Sequence, residues 1–392
     1  MQKELSRNTA VDIYRGFVMF LMMAEVLEFS LISKALPNST FWKFMSFHQS
    51  HVPWVGCSLH DLIQPSFSFL VGVALPFSIA SRIVKGGKFL TMFLHALKRS
   101  LILILLGVFL RSLGREFTNW TFEDTLTQIG LGYPFLFLLG YKSRNFQIIT
   151  IIGILFTYFL AFSFYPLPNA TFDWSLTGIT EDWAHNLKGF ASHWNKNTNL
   201  AWAFDTWFMN LFPRVKPYLF NGGGYVTLSF IPTLATMILG VFAGNLLKSE
   251  HLKIELFKKF FIIGLSLLSV GLILNISGVC PSVKRIWTPS WVMFSGGWCF
   301  ILLSIFYYLV EILSFSTWLN FLKIIGLNSI AAYVLAHTVV DFIQENLQTN
   351  IGQNYALVFG ENYQSLISGS LILLFQWLVL RWMYKKGIFI KI

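Results

Sequence analysis

The sequence predicts an all-α membrane protein, a polytopic bundle of about ten transmembrane helices. The first observation behind this prediction is composition: 55% of the 392 residues are hydrophobic and only 12% are charged, against about 25% charged in a soluble domain. The second is that several apolar runs reach the roughly 20 residues needed to cross a bilayer. The third is that lysine and arginine cluster beside those runs, as topology determinants do. The net charge of +11 therefore does not indicate nucleic-acid binding.

The apolar segments of helix length follow one another along the whole chain. They lie near residues 15–33, 62–81, 92–110, 125–141, 146–165, 225–247, 259–276, 290–313, 321–343 and 366–384. Because most basic residues fall on one side of this topology, the positive-inside rule predicts that both termini are cytoplasmic. No cleavable signal precedes the first span. We therefore expect a multi-pass protein of the inner membrane, with residues 1–392 forming one domain and 166–224 a long extracytoplasmic loop.

The segment from His48 to Pro65, here called the histidine segment, is rich in side chains that can accept and release protons. It contains three histidines, His48, His51 and His60, and Asp61 opens the apolar run that follows. Imidazoles titrate near neutral pH and act as general acids and bases, and a carboxylate can orient such a base. The predicted topology places this segment on the outer side of the membrane. A polar loop at the membrane surface is the alternative interpretation.

Tryptophans are frequent in the outer segments. Trp54 lies in the histidine segment, and five more lie in the long outer loop: Trp174, Trp183, Trp194, Trp202 and Trp207. A tryptophan at this position can anchor in the interfacial belt. Alternatively, its flat face can stack on a ligand such as a sugar ring.

An acidic residue lies within the first span. Glu25 is ten residues beyond Arg15, so a 1.5 Å rise per residue places it about 15 Å deeper, near the middle of the bilayer. A carboxylate at that depth is costly unless it has a function. Glu28 follows three residues later and is expected to share the face of Glu25.

The ninth span also carries polar residues. His337 and Asp341 are four residues apart, so they are expected to share a helix face near its outer end. Asn328 is expected to lie deeper in the same helix. A helix-end pair that only satisfies itself is the alternative interpretation.

Basic residues gather at the predicted cytoplasmic mouth of the bundle. They are Arg15, Arg82, Lys98 and Arg99. Arginine binds phosphates bidentately, so these residues are candidates for binding an anionic cofactor. Membrane topology alone also explains basic residues at this position.

Several short motifs follow one another nearly from end to end of the chain. They are Val11–Gly16, His51-x-x-Trp54-x-Gly56 with Asp61-Leu62-Ile63-x-Pro65, Ile231–Thr236 with Gly240–Gly244, Lys284–Ser290, and Gly326–Ile330. In type and in order they resemble the motifs of the heparan-α-glucosaminide N-acetyltransferase family and its bacterial relatives. The chain departs from that pattern at Gln64, where the family has phenylalanine, near Val26, where it has asparagine, and at Thr127-Gln128, where it has Gln-Arg.

The resemblance implies acyl transfer across a membrane. Acetyl-CoA on the cytoplasmic side would be the donor co-substrate, an amino sugar or other glycan on the far side the acceptor, and no metal would take part. His51 matches the active-site histidine of the family, and Asp61 and Glu25 are expected to act with it. The residues expected to bind the acceptor are His48, Trp54, His60, His337 and Asp341. Those expected to bind acetyl-CoA are Arg15, Arg82, Lys98, Arg99 and Asn328.

Two mechanisms and one different function stay open from the sequence. His51 could act as a general base, or it could carry the acetyl group as a covalent intermediate. The different function is a proton-coupled secondary transporter in which Glu25, Asp61 and His337 relay protons, although no inverted pair of broken spans stands out. Membrane lipid is a further expected partner, and the oligomeric state stays open, with a homodimer as one candidate.

Cysteine usage suggests no framework of disulfides, since the chain has three cysteines. Cys57 and Cys280 both fall in predicted outer loops, where a disulfide is permitted. A bridge between them would pin the histidine segment to a distant hairpin. The alternative is two unrelated small apolar side chains.

Overall fold

The computed structural model describes residues 8–249 and 252–390, and these form helices and loops with no β-strand. The α-helices are α1 (Thr9–Met23), α2 (Phe29–Ala35), α3 (Thr40–Gln49), α4 (Ile63–Val84), α5 (Phe89–Ser112), α6 (Thr125–Leu139), α7 (Arg144–Ser163), α8 (Leu200–Phe208), α9 (Phe230–Ser249), α10 (Lys253–Ile276), α11 (Pro289–Tyr307), α12 (Asn320–Leu327), α13 (Ser329–Thr338), α14 (Val340–Ile351) and α15 (Gln364–Lys385). The predicted all-α class is confirmed.

Within the described residues, 7 helices are long and apolar enough to cross a bilayer, and up to 9 if each of two bent pairs is one span. The bent pairs are Thr9–Leu27 with Phe29–Ala35, at 42°, and Asn320–Leu327 with Ser329–Thr338, at 83°. The predicted segment near 125–141 forms α6, which has only 15 residues and is short for a bilayer crossing. The protein is therefore a multi-pass helical membrane protein, with 7 to 9 candidate spans among the residues that the structure describes.

Two helix breaks overturn predicted faces. Helix α1 ends at Met23, a 3₁₀ turn follows, and Glu28 has a left-handed backbone with φ of 46°. Glu25 and Glu28 therefore do not share a helix face. Likewise α13 ends at Thr338 and α14 begins at Val340, so His337 and Asp341 lie on different helices and the predicted common face is wrong.

Glycines let the central helices touch backbone to backbone. A Cβ added to Gly72 of α4 would overlap the carbonyl of Met237 in α9, and one added to Gly240 of α9 would overlap the carbonyl of Phe69. Helices without a bulky residue at the crossing approach closely in a membrane. Because α4 carries the end of the histidine segment, this contact with α9 fixes that segment relative to the core.

The long outer loop packs on the bundle through buried tryptophans. Trp54 is 1% exposed and Trp194 is fully buried, and both belong to a cluster with Tyr158 and Ile286. The indole of Trp54 donates a hydrogen bond to the carbonyl of Trp194, at 3.0 Å. Trp54 therefore packs the loop against the bundle and presents no face to a ligand.

The cysteines form no disulfide in the structure. Cys57, Cys280 and Cys299 are all free. Cys280 and Cys299 are buried, and Cys57 is half-buried, so burial raises the pKa of the Cys57 thiol to about 12. The interpretation as small apolar side chains is the one that the structure supports.

Candidate functional site

A backbone clamp holds the segment between α3 and α4 against the loop that precedes α11. Val55 pairs with Val283 as an isolated antiparallel bridge. The guanidinium of Arg285 donates to the carbonyl of Val52, at 3.0 Å, and to the carbonyl of Gly223. The clamp brings Lys284 beside His51, although the two residues are 233 positions apart in the chain.

The clamp assembles a triad of His51, Asp61 and Lys284. Nδ1 of His51 lies 2.8 Å from Oδ1 of Asp61, and Nζ of Lys284 lies 3.3 Å from the same oxygen. The side chains of Asp61 and Lys284 are 1% and 4% exposed, whereas that of His51 is 36% exposed. The carboxylate and the ammonium are therefore shielded from water, and the imidazole is the member that can meet a substrate.

Backbone amides fix the second oxygen of Asp61. Oδ2 accepts hydrogen bonds from the N–H groups of Val52 and Ser58, at 3.2 and 3.1 Å. Bonds of this kind favour the ionised carboxylate and hold it in one orientation. Asp61 is therefore held in one orientation, with Oδ1 toward His51.

The tautomer of His51 follows from these contacts. Its Nδ1 lies within bonding distance of both Asp61, at 2.8 Å, and Lys284, at 3.1 Å, and a single ring nitrogen cannot donate to one and accept from the other. The shorter contact to a carboxylate favours a proton on Nδ1. The ammonium of Lys284 then interacts with the carboxylate of Asp61 and not with the ring. Nε2 is then unprotonated, and it makes no hydrogen bond with any residue in 8–249 or 252–390.

The partly buried position of His51 determines the charge of its imidazole. Desolvation, helped by the Lys284 ammonium, lowers the pKa of His51 below its ordinary value, although the bond to Asp61 opposes the shift. Burial also lowers the pKa of Lys284, and the carboxylate of Asp61 opposes that shift. At neutral pH the ring is thus mainly neutral, which is the form a general base or a nucleophile requires.

A second histidine connects Glu25 to the triad. Nε2 of His60 lies 2.9 Å from Oε1 of Glu25, and the Glu25 side chain is 55% exposed. The rings of His60 and His51 have their centroids 4.5 Å apart. The structure thus places Glu25 against His60 and His60 beside His51.

One cavity of about 440 Å³, here called the histidine cavity, is lined by Glu25, His51, His60 and Lys284. Its other wall includes residues that the sequence analysis did not select: Arg111, Glu123, Asp124, Asn221 and Tyr225. Burial raises the pKa of Glu123 above its ordinary value and that of Tyr225 to about 12. His337 also lines this cavity, and its Nδ1 bonds to the carbonyl of Tyr333, at 2.8 Å.

Some predicted acceptor-binding residues lie elsewhere. His48 on α3 accepts a hydrogen bond from the N–H of Leu59 through Nδ1, at 3.2 Å, and does not line the histidine cavity. Asp341 lines a separate cavity together with Glu28. With Trp54 buried, His60 and His337 are the members of the predicted set that face the triad.

Most of the predicted donor-binding residues gather at the other end of α4. Arg15, Arg82 and Arg99 line a cavity of about 530 Å³, here called the arginine cavity. A neighbouring cavity of about 330 Å³ is lined by Arg82, Arg99, Lys98 and His95. The two cavities share Arg82 and Arg99, so their cationic side chains are neighbours and are here called the basic surface. Arg15 within it is paired with Asp12, at 3.2 Å.

Asn328 does not join this surface. Its side chain donates to the carbonyl of Ile388, at 2.9 Å, and accepts from the N–H of Ile390, at 3.0 Å. Asn328 is fully buried at the break between α12 and α13. Both halves of the amide are thus used to hold the C-terminal segment, and the expected role in cofactor binding finds no support.

Local sequence patterns do not identify every residue of this site. Lys284 lies in one of the motifs, but only the contacts of the clamp show that it reaches His51. Arg111 and Glu123 lie in no motif, and nothing in their local spacing indicates a site.

Neither the protein-family models nor the curated proteins compared with this chain contain a match.

Proposed function

We propose that the protein is a membrane-bound acyltransferase that moves an acetyl group from acetyl-CoA to a glycan or amino-sugar acceptor. The observation that carries the proposal is the His51–Asp61–Lys284 triad, which opens into a cavity at one end of α4 while the arginine cavity lies at the other end. The ordered motifs that resemble the heparan-α-glucosaminide N-acetyltransferase family support the same activity.

The basic surface is proposed to bind the donor. Arg82 and Arg99 line both cationic cavities, and their guanidinium groups match the bidentate geometry of phosphates. Coenzyme A carries its phosphates at one end and its thioester at the other. Phosphates held at this surface would therefore direct the thioester along α4 toward the triad.

His51 is proposed to act through its free Nε2. In one mechanism Nε2 removes a proton from the acceptor amine or hydroxyl as that group attacks the thioester carbon, and the coenzyme A thiolate leaves. In the other, Nε2 attacks the thioester carbon first and the coenzyme A thiolate leaves. The acceptor then attacks the acetyl carbon, the bond from that carbon to Nε2 breaks, and the freed Nε2 takes the proton of the acceptor. In both, Asp61 stabilises the imidazolium that forms, as in other base–carboxylate pairs.

A proton-coupled transporter is the second candidate function. It is favoured by the contact between His60 and Glu25, at 2.9 Å, beside His51, since chains of carboxylates and histidines relay protons in transporters. A transporter needs no acetyl donor, so donor consumption separates the two functions.

The test is transfer of labelled acetyl groups by purified protein to glucosamine, as an amine acceptor, and to a neutral sugar, as a hydroxyl acceptor. We expect His51→Ala to abolish transfer. His51 is the triad member with a ring nitrogen, and Nε2 of the neighbouring His60 already contacts Glu25. His185→Ala is the matched control, since His185 is an exposed imidazole of the outer loop. Unchanged turnover in His51→Ala would contradict the assignment of His51.

A further inference from the structure

Phe67 of α4 lines both the histidine cavity and the arginine cavity. It lines the histidine cavity with His51 and the arginine cavity with Arg15. Phe67 is only 6% exposed and belongs to the main hydrophobic core. The two cavities therefore adjoin at this side chain in the middle of the bundle.

The order of lining residues along the neighbouring helices confirms that the cavities lie end to end. On α1, Arg15 lines the arginine cavity and Met22 the histidine cavity. On α13 the order in sequence is the same, with Ile330 in the arginine cavity and Tyr333 in the histidine cavity. Each helix changes from one cavity to the other within a few residues, at one common level of the bundle.

On α4 the change occurs at Phe67 itself. Gln64 lines only the histidine cavity, and Phe77 only the arginine cavity. From Phe67 to Arg82 the helix rises about 22 Å at 1.5 Å per residue. Phosphates held near Arg82 would thus be separated from the triad by most of the depth of the arginine cavity and by the Phe67 side chain.

We propose that Phe67 is the partition between a donor cavity and an acceptor cavity, which the thioester arm must pass to reach His51 and which keeps water of the acceptor side from the donor. This inference rests on the proposed function. It adds a residue that carries no acid, base or charge and that controls access between the two substrates.

The consequence for the chemistry is a competing hydrolysis. When water replaces the acceptor, its oxygen bonds to the acetyl carbon, the carbon–sulfur bond breaks, and the proton passes to the thiolate, which gives acetate and free coenzyme A. A large apolar side chain at the partition excludes water from the donor cavity. A small side chain at position 67 is therefore expected to raise acetyl-CoA hydrolysis in the absence of acceptor.

The first test needs no enzymatic activity. Thr125→Cys places a thiol in the histidine cavity and Ser81→Cys places one in the arginine cavity. A small charged methanethiosulfonate is added to sealed vesicles of either orientation, and peptide mapping reads modification of the introduced cysteine alone. With Phe67 present, we expect each cysteine to react from one side of the membrane, and the two from opposite sides.

The substitution Phe67→Ala is expected to let both cysteines react from both sides. Phe77→Ala is the matched control, because Phe77 lines the arginine cavity only, and it should leave the sidedness unchanged. If Phe67→Ala does not reach the membrane, Phe67→Leu is used, and a smaller gain of reaction from the far side is expected. One-sided reaction in the folded Phe67 variant, or two-sided reaction with Phe67 present, would overturn the proposal.

The second test measures acetyl-CoA hydrolysis without acceptor. We expect Phe67→Ala to exceed the wild type. Phe69→Ala should match the wild type, because Phe69 is a buried phenylalanine of α4 that lines neither the histidine cavity nor the arginine cavity. A wild-type protein that neither binds nor cleaves acetyl-CoA would contradict the proposed function but would leave the labelling result intact. Sidedness lost in Phe67→Ala without any rise in hydrolysis would contradict the role of Phe67 as a barrier to water.

Discussion

Lys284 offers the sharpest perturbation of the triad. Its ammonium is 3.3 Å from Oδ1 of Asp61, and the two side chains are 4% and 1% exposed. Lys284→Met removes the charge and keeps most of the apolar length of the side chain. The carboxylate of Asp61 then stays in its shielded position without its cation.

The expected loss of stability follows from that distance. Two unit charges 3.3 Å apart attract by about 5 kcal/mol at an effective dielectric constant of 20. Desolvation offsets part of this attraction in the intact pair, but removing one partner of a buried pair typically costs about 3–5 kcal/mol. We therefore expect Lys284→Met to lower the free energy of unfolding by an amount in this range.

The assay is reversible denaturation of purified protein in detergent, read as a double-mutant cycle. Asp61→Asn in the Lys284→Met background removes the unpaired charge, so the double variant should be more stable than Lys284→Met alone. Lys196→Met is the control, since Lys196 is a cation of the outer loop that bonds to the carbonyl of Gly222. A Lys284→Met variant as stable as the wild type would refute the reasoning.

The same substitution has a signed effect on the pH dependence of transfer. The Lys284 ammonium contributes to lowering the pKa of His51, and only the neutral ring is reactive, so activity falls as pH drops through that pKa. Without the ammonium the pKa of His51 rises, and the acidic limb of kcat/KM should move to higher pH. Lys284→Arg keeps the charge and should leave the limb near its wild-type position, whereas a shift of the Lys284→Met limb to lower pH would contradict the assigned triad.

Two further outcomes test other parts of the site. Glu25→Gln should lower kcat at least about tenfold, or about 1.4 kcal/mol of barrier, because it removes the charge that faces His60; wild-type turnover would make Glu25 a structural residue. Lys98→Ala with Arg99→Ala should raise the KM for acetyl-CoA and spare that for the acceptor, since both residues line the basic surface. An unchanged donor KM would shift the donor phosphates to Arg82.

Apolar length predicts the helices of this protein well, because a bilayer requires long runs without charge. The helix breaks at Glu28 and Val339 are not predictable in the same way. Neither position is a glycine or a proline, and the left-handed backbone of Glu28 has no local signature. Periodicity therefore placed Glu28 beside Glu25, and Asp341 beside His337, on faces that the folded chain does not have.

The histidine segment shows what composition can and cannot resolve. The sequence places His48, His51 and His60 together, and only the tertiary contacts separate their roles. His48 bonds to a backbone N–H, His60 contacts Glu25, and His51 contacts Asp61. Local spacing cannot predict the position of Lys284, because contacts between two distant loops place it beside His51. The side-chain amide of Asn328 is likewise unpredictable, since it bonds to the backbone of the C-terminal segment.

Binding of acetyl-CoA to the purified protein tests the central claim most directly. Radiolabelled acetyl-CoA should bind the wild-type protein saturably, and Arg82→Ala with Arg99→Ala should weaken that binding, because both arginines line both cationic cavities. His51→Ala should bind the donor as the wild type does, since His51 lies in the other cavity. Absence of saturable acetyl-CoA binding by the wild-type protein would contradict acyl transfer and favour the transporter.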